Sequence, residues 1–253
     1  MTVYFGTYKL LDEDVLHKSL QSAYNIGYRH FDCAELYKNQ HMIGNFFKKN
    51  NINRDSYWLT SKLSFRVIPK GEEAMRKSIE KTFIDLSTEY IDLMIIHSPV
   101  KLDILAWTIL TEYKNTGRIK NIGISNYNIE NLTRFISSID NPNDIYCNQI
   151  EFNPFLNRSN LLQLCFDNNI KVITYGSLYK SNDLISDIAI KLNKTKEQIL
   201  LKYALHKNVS IITTATNKEY IEMNYNIDFI IDQEDINKID QLDENYSMYK
   251  RFL

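Results

Sequence analysis

Glycine and proline are scarce. Seven glycines and four prolines in 253 residues fall well under the usual shares of about 7% and 5%. Collagen-like, linker-rich and glycine-loop-rich architectures are excluded, and the loops must be short or built from Asn, Asp and Ser. No G-x-G-x-x-G run occurs, so any nicotinamide cofactor must be bound without the phosphate fingerprint of an open dinucleotide-binding sheet. The three cysteines, Cys33, Cys147 and Cys165, are far apart and lack C-x-x-C or Cys/His zinc spacing, which fits packed or free thiols in a reducing compartment. Excess charge is also missing. Lys and Arg number 30 against 31 Asp and Glu, a formal net charge of -1, which argues against nucleic acid as a partner. Met1 to Leu10 shows no basic stretch followed by an apolar one, and no apolar run reaches the ~18 residues of a membrane span. The expectation is a cytoplasmic protein with no membrane partner.

What is present suits a packed globular chain. Hydrophobic residues at 44% and charged residues at 24% allow a core without disulfides or obligate assembly, so a monomer or weak homo-oligomer is expected. Short β-rich runs alternate with amphipathic stretches from end to end, the pattern of βα units. The runs are Val3 to Thr7, Arg29 to Cys33, Trp58 to Leu63, Asp92 to His97, Ile119 to Ser125, Tyr146 to Phe152, Lys171 to Tyr175 and Ser210 to Thr214. Eight such strands in one uninterrupted domain, 1–253, predict an α/β fold of the (β/α)8 TIM-barrel type, with an open doubly wound sheet as the structural alternative. Helical spacing predicts core stripes through Leu16, Leu20 and Ala23, ended by Gly27, and through Ile129, Leu132, Ile136 and Ile139. Thr195 to Gln198 reads as a capping box, and Asp232 as the cap of a last helix through Leu242.

A parallel barrel builds its site at the C-terminal ends of its strands. The second strand ends in Asp32, with Tyr37 five residues on. The third ends in Lys62 and the fourth in His97. A tyrosine, ordinarily a poor acid with a pKa of about 10, becomes a better one beside an ammonium. Lys62 would supply that charge, Asp32 would hold Lys62, and His97 would hydrogen-bond a carbonyl oxygen near Tyr37. Each residue alone has a structural explanation: a helix cap, a half-buried ring, a solvated rim, a satisfied core histidine. His30, Asp32 and His97 also read as metal ligands of a barrel hydrolase, but beyond Glu151 the later strand ends supply no further ligand. No metal is therefore expected.

Longer motifs then accumulate in order: Gly6-Thr7-Tyr8, YRHFDCAELYKN at 28–39, Ser61-Lys62, IIHSP at 95–99, GRIKNIGISNY at 117–127 and NQIEFNPF at 148–155. With these the sequence resembles the aldo-keto reductase family over most of its length. The resemblance implies a catalytic tetrad of Asp32, Tyr37, Lys62 and His97, with Tyr37 as proton donor during hydride transfer to an aldehyde or ketone. It implies NADP(H) or NAD(H) bound in extended form across the barrel mouth. Ser125, Asn126 and Gln149 match the positions that hold the nicotinamide carboxamide, and Tyr175 the aromatic on which the ring stacks. Thr7, Tyr8, Asp32, Thr214, Asn217 and Asn224 match further cofactor positions. The side-chain chemistry agrees, since hydroxyls and amides suit a carboxamide and a tyrosine face suits a flat ring.

The pattern departs at the adenosine end. In IITTATNKEYIEMN, 211–224, Thr214 and Tyr220 stand where the family presents a Lys and an Arg to the 2′-phosphate, and Met223 replaces an adenine-holding residue. Losing two charge-assisted contacts should weaken any preference for NADPH, with Lys218 nearby as a partial substitute. The loop from Gly176 to Asn182 is short, and Ser98 stands where many members carry an aromatic, so an open, less apolar substrate side is expected. The partner implied is a small-molecule carbonyl substrate. A non-catalytic, cofactor-sensing protein on the same barrel is the second reading, because fold does not fix function.

Overall fold

The computed structural model describes residues 2–248. Residue 1 and residues 249–253, the two ends of the expected 1–253 domain, lie outside the described residues. Eight strands, β1 (Val3–Gly6), β2 (His30–Asp32), β3 (Trp58–Leu63), β4 (Ile91–Ile96), β5 (Ile119–Ser125), β6 (Ile145–Glu151), β7 (Lys171–Tyr175) and β8 (Ser210–Thr213), follow one another round a closed barrel. All are parallel, and β8 returns to β1 through Val3 opposite Ile211, Tyr4 opposite Ile212 and Phe5 opposite Thr213. That closure excludes the open sheet. Each expected strand is present, with ends displaced by at most a residue.

Helices cover the outside: α1 (Glu13–Ile26), α2 (Gln40–Lys49), α3 (Glu72–Asp85), α4 (Asp103–Asn115) and α5 (Ile129–Ser138) in the first half. They continue as α6 (Ser159–Asp167), α7 (Asp183–Leu192), α8 (Lys196–His206), α9 (Lys218–Tyr225) and α10 (Gln233–Asp240). Local chemistry sets their ends. Asp12 accepts from the Val15 N–H at the start of α1, and Gly27, at φ +126, closes it by donating its N–H to the Ala23 carbonyl. Thr195 and Gln198 form the reciprocal capping box of α8, and Asp232 caps α10, each cap being worth about 1 kcal/mol. Leu16, Leu20 and Ala23 are buried as expected. In α5 Leu132 is buried and Ile136 and Ile139 pack partly buried against the core as expected, whereas Ile129, in the first turn, is 47% exposed and Phe135 joins the buried face. Phe135 wins that place by meeting Trp107 and Tyr127 edge-on at 5.3 and 5.1 Å.

Strand alternation sorts the core into two regions. On β2, Phe31 turns outward to Phe47 and Tyr57, while Asp32 turns into the barrel. Lower in the barrel Tyr4, Leu93, Ile95, Cys147 and Ile173 form a separate apolar plug. Above it, at the strand ends, the interior becomes polar. Among the described residues, no helix is long and apolar enough to cross a membrane.

Candidate active site

Register and alternation together bring Asp32 and Lys62 face to face. Asp32 is opposite Thr60 on β3, and Lys62 lies two residues further along, on the same inward face as Thr60. The Lys62 ammonium has three hydrogens, and all are spent: on Asp32 Oδ1 at 2.5 Å, on the Cys33 carbonyl at 2.9 Å and on the Tyr37 hydroxyl at 3.3 Å. Asp32 Oδ2 accepts from Gln149 Nε2 at 2.9 Å across the barrel. Burial alone would discharge Lys62, but Asp32 first, then Tyr37 and Cys33, outweigh it and raise its pKa above the ordinary lysine value. Ser61, on the outward face, donates to Gln40 Oε1 at 2.6 Å and anchors β3 against α2.

Tyr37 closes the 3₁₀ turn Glu35–Tyr37 above β2. Because its oxygen accepts from Lys62, its own hydrogen is left for the cavity. Burial pushes its hydroxyl up to about 12, and the Lys62 charge only partly offsets this. The expected direction of the lysine effect holds, but desolvation exceeds it. His97 follows β4, its ring edge-on to Tyr37 at 5.9 Å and to Phe65 at 6.1 Å. Burial, helped by the nearby Lys62 charge, lowers it to about 3, so it is neutral near pH 7. Its Nδ1 is buried with no hydrogen-bond partner. An orphaned N–H is rarer in proteins than an orphaned acceptor, which favours the tautomer with the hydrogen on Nε2, ready to donate.

That depressed value has a consequence for stability. A histidine kept neutral in the fold takes up a proton only on unfolding, so its contribution is full above the unfolded pKa of about 6.5 and falls as pH drops toward about 3. The folding constant should lose roughly tenfold per pH unit below 6.5 from this group alone. His97→Gln is expected to flatten the decline in urea midpoint between pH 6.5 and 5. Parallel declines in variant and wild type would show that His97 is not held neutral.

A second network meets the first at Gln149. Ser125 Oγ donates to the Gln149 carbonyl at 2.8 Å, and Asn126 Nδ2 donates to the His97 carbonyl at 3.0 Å and to Ser125 Oγ at 3.1 Å. Tyr175, ending β7, donates its hydroxyl to Asn126 Oδ1 at 2.6 Å. Asn126 takes a left-handed φ of +64 where β5 turns toward α5, and Asn128 caps that helix.

These residues border a cavity of about 580 Å³ whose walls include Tyr8, Asp32, Tyr37, His97, Ser125, Asn126, Gln149, Tyr175 and Thr214. Lys62 lies beneath, wholly buried. Gly6 borders the cavity too: a Cβ there would lie 2.7 Å from both Ile212 Cγ2 and Thr214 Oγ1. Not every expected residue faces this space. Thr7 is buried and donates its hydroxyl to the Asp32 carbonyl, holding β1 to β2 instead of lining the wall. Asn217 caps α9, accepting from the Glu219 N–H, and Asn224 is buried within that helix. Tyr220 is 58% exposed on the same helix. Sequence reasoning missed Leu36, Phe65, Leu178, Tyr179 and Met248, which supply much of the apolar wall. The cavity wall is therefore more apolar than Ser98 and the short loop suggested. Phe65, two residues past the end of β3, lay within reach of the strand-end rule, whereas Met248 returns from far along the chain with no local signal. Among the described residues, no three His, Cys, Asp or Glu groups gather as a metal requires.

The closed barrel with a polar cavity at its strand ends defines a class of protein, the (β/α)8 barrels. The sequence profile of the Aldo/keto reductase family matches residues 2–181, and the chain belongs to that family. Prostaglandin F synthase 1 of Bos taurus is 29% identical, over 97% of this chain and 88% of that protein. An uncharacterized oxidoreductase of Schizosaccharomyces pombe is 33% identical, over 96% of this chain and 90% of that one. Among solved structures, an aldo-keto reductase enzyme from a Medee basin deep-sea metagenome library superposes with a TM-score of 0.92 at 26% identity, covering 99% of this chain and 94% of that chain.

Proposed function

We propose that the protein is an NAD(P)H-dependent reductase of aldehydes or ketones, in a single barrel domain, with Asp32, Tyr37, Lys62 and His97 as its catalytic residues. The observation that carries this reading is the Lys62 ammonium. With its three hydrogens fixed on Asp32, Cys33 and Tyr37, the Tyr37 proton has only the cavity to point into. Tyr37 donates that proton to the carbonyl oxygen, Nε2 of His97 positions the same oxygen, and Asp32 keeps Lys62 charged.

The donor set fits a nicotinamide. Gln149 commits one Nε2 hydrogen to Asp32, leaving a second hydrogen and Oε1 for a carboxamide. Ser125 and Asn126 flank it, and the Tyr175 hydroxyl is tied back to Asn126, which fixes the ring whose face would meet the nicotinamide. When bound, the reduced nicotinamide supplies a hydride to the carbonyl carbon. At the adenosine end the candidates are Thr214, Asn217 and Asn224, with Lys218 nearby and no cation at 214 or 220.

The test is a fluorescence titration with NADPH and with NADH, followed by addition of an activated aldehyde. Saturable binding of both, within about tenfold of each other because the phosphate-pairing cations are gone, and oxidation on adding aldehyde are expected. Tight binding with no turnover across a carbonyl panel would leave the cofactor-sensing reading in its place.

A further inference from the structure

Glu151 has no part in delivering the proton, yet it is wholly buried at the upper end of β6. Carboxylates are seldom fully buried without partners that hold them charged. Here the Arg158 guanidinium, just before α6, stands close enough to act on it electrostatically, and two hydrogen-bond donors come from the far end of the chain. Ser247 Oγ donates to Oε2 at 2.6 Å, and the Met248 N–H donates to Oε1 at 2.7 Å. Alternation places Glu151 on the inward face it shares with Gln149, and it lies opposite Tyr175 in the β6–β7 register.

The same stretch of chain is tied down at further points. The N–H groups of Glu244 and Tyr246 both donate to the Phe155 carbonyl, at 3.1 and 3.0 Å. The Tyr246 ring lies parallel to Tyr179 at 6.1 Å, and Lys180 Nζ meets Glu244 Oε2 at 2.6 Å. Residues 243–248 thus form a strap across the barrel rim, between the β6–α6 loop and the loop after β7. Its last described residue, Met248, forms cavity wall together with Leu178 and Tyr179. Where the strap passes Gly176, at φ +74, a Cβ would stand 3.3 Å from Glu151 Cγ and 3.6 Å from Met248 Cε, so the packing there is close. The ion pair and ring contact on the outside are exposed to solvent and contribute little. The two bonds to a buried carboxylate are charge-assisted and shielded from water.

We infer that Glu151 is a positioning residue, a latch that holds the strap 243–248 as one wall of the substrate cavity and so sets a preference for aromatic over small hydrophilic carbonyl compounds. The inference rests on the reductase reading for its kinetic part alone. Two variants test it, Glu151→Gln, which removes one acceptor and places an amide against a donor, and Ser247→Ala, which cuts one bond from the strap and leaves the barrel untouched. Amide exchange of the peptide spanning 246–248, read by mass spectrometry, is expected to accelerate roughly tenfold or more in both. KM for 4-nitrobenzaldehyde should rise about tenfold while KM for glyceraldehyde stays within about twofold and kcat holds, since only an apolar wall is lost. Unchanged exchange in Ser247→Ala, or equal rises in KM for both aldehydes, would overturn the latch, as would a collapse of kcat for both. Wild-type protein that turned over neither aldehyde would overturn the reductase reading, and the exchange arm would still judge the latch.

Discussion

Tyr37→Phe is expected to lower carbonyl reduction by roughly 10²–10⁴-fold, the usual contribution of a positioned general acid, with NADPH and NADH affinities changed by less than about twofold. The phenyl ring keeps the shape of the site. Its neighbours at the ring, Tyr8 at 5.0 Å and the edge of His97 at 5.9 Å, have no hydrogen bond to lose. What disappears is one oxygen, and with it both the proton for the carbonyl and the third acceptor of Lys62. The orphaned N–H adds a stability cost of about 1–3 kcal/mol, which a urea midpoint reads separately from turnover. Single-turnover oxidation of bound NADPH on mixing with aldehyde, paired with a fluorescence titration, separates the two effects. Reduction at the wild-type rate in this variant would end the case for Tyr37 as the acid.

The pH behaviour of the wild type follows from the same geometry. With the Tyr37 hydroxyl at about 12, the proton needed for reduction is in place at neutral pH and is lost only as pH rises toward that value. With His97 at about 3, its neutral form is also in place. Between pH 6.5 and 9 the kcat of reduction should therefore be nearly flat. A steep fall with a midpoint inside that range would mean that a ligand in the cavity strengthens the pull of Lys62 on Tyr37 beyond what burial opposes.

The barrel and the core of its site were legible because both follow from periodicity. A side chain that ends a strand on the inward face must emerge at the barrel mouth, so Asp32, Lys62 and His97 could be singled out from strand patterns, whereas Gln149 and Tyr175 were legible only through the family resemblance; Asp32 meets both Lys62 and Gln149, and Tyr175 meets Asn126. Balances and returns were not legible. Whether Lys62 or desolvation governs Tyr37 depends on burial, which one sequence does not reveal. Thr7 belongs to a motif but turns its hydroxyl to the Asp32 carbonyl, because β1 ends one residue earlier, at Gly6. Met248 and Glu151 meet only because the stretch 243–248 folds back over β6, a contact between segments that no local pattern connects. In α5 the difference has a simpler cause: Leu132, Ile136 and Ile139 pack on the core as the repeat requires, Ile129 stays exposed in the first turn, and Phe135 is drawn in by its aromatic neighbours.

Lys62→Met tests the centre of the site and needs its compensating partner to be read correctly. Methionine spans a similar length without charge, so the substitution leaves Asp32 buried beside an apolar chain, holding only the Gln149 bond. Removing one member of a buried pair costs about 3–5 kcal/mol, and a fall in activity could then reflect unfolding alone. The double variant Asp32→Asn with Lys62→Met removes both charges, and its urea midpoint should recover most of that loss. Its reduction rate should not recover. Without the ammonium nothing offsets the desolvation that already holds Tyr37 at about 12, and a tyrosine pushed higher still is a weaker acid. The expected result is a folded, nucleotide-binding protein whose hydride-transfer rate is down by roughly the same 10²–10⁴ as Tyr37→Phe. A triple variant that adds Tyr37→Phe should be little slower than the double, because residues acting as a unit do not contribute additively. If activity instead returned with stability in the double variant, Lys62 would be there to neutralise Asp32, and the acidity of Tyr37 would have to come from elsewhere in the cavity.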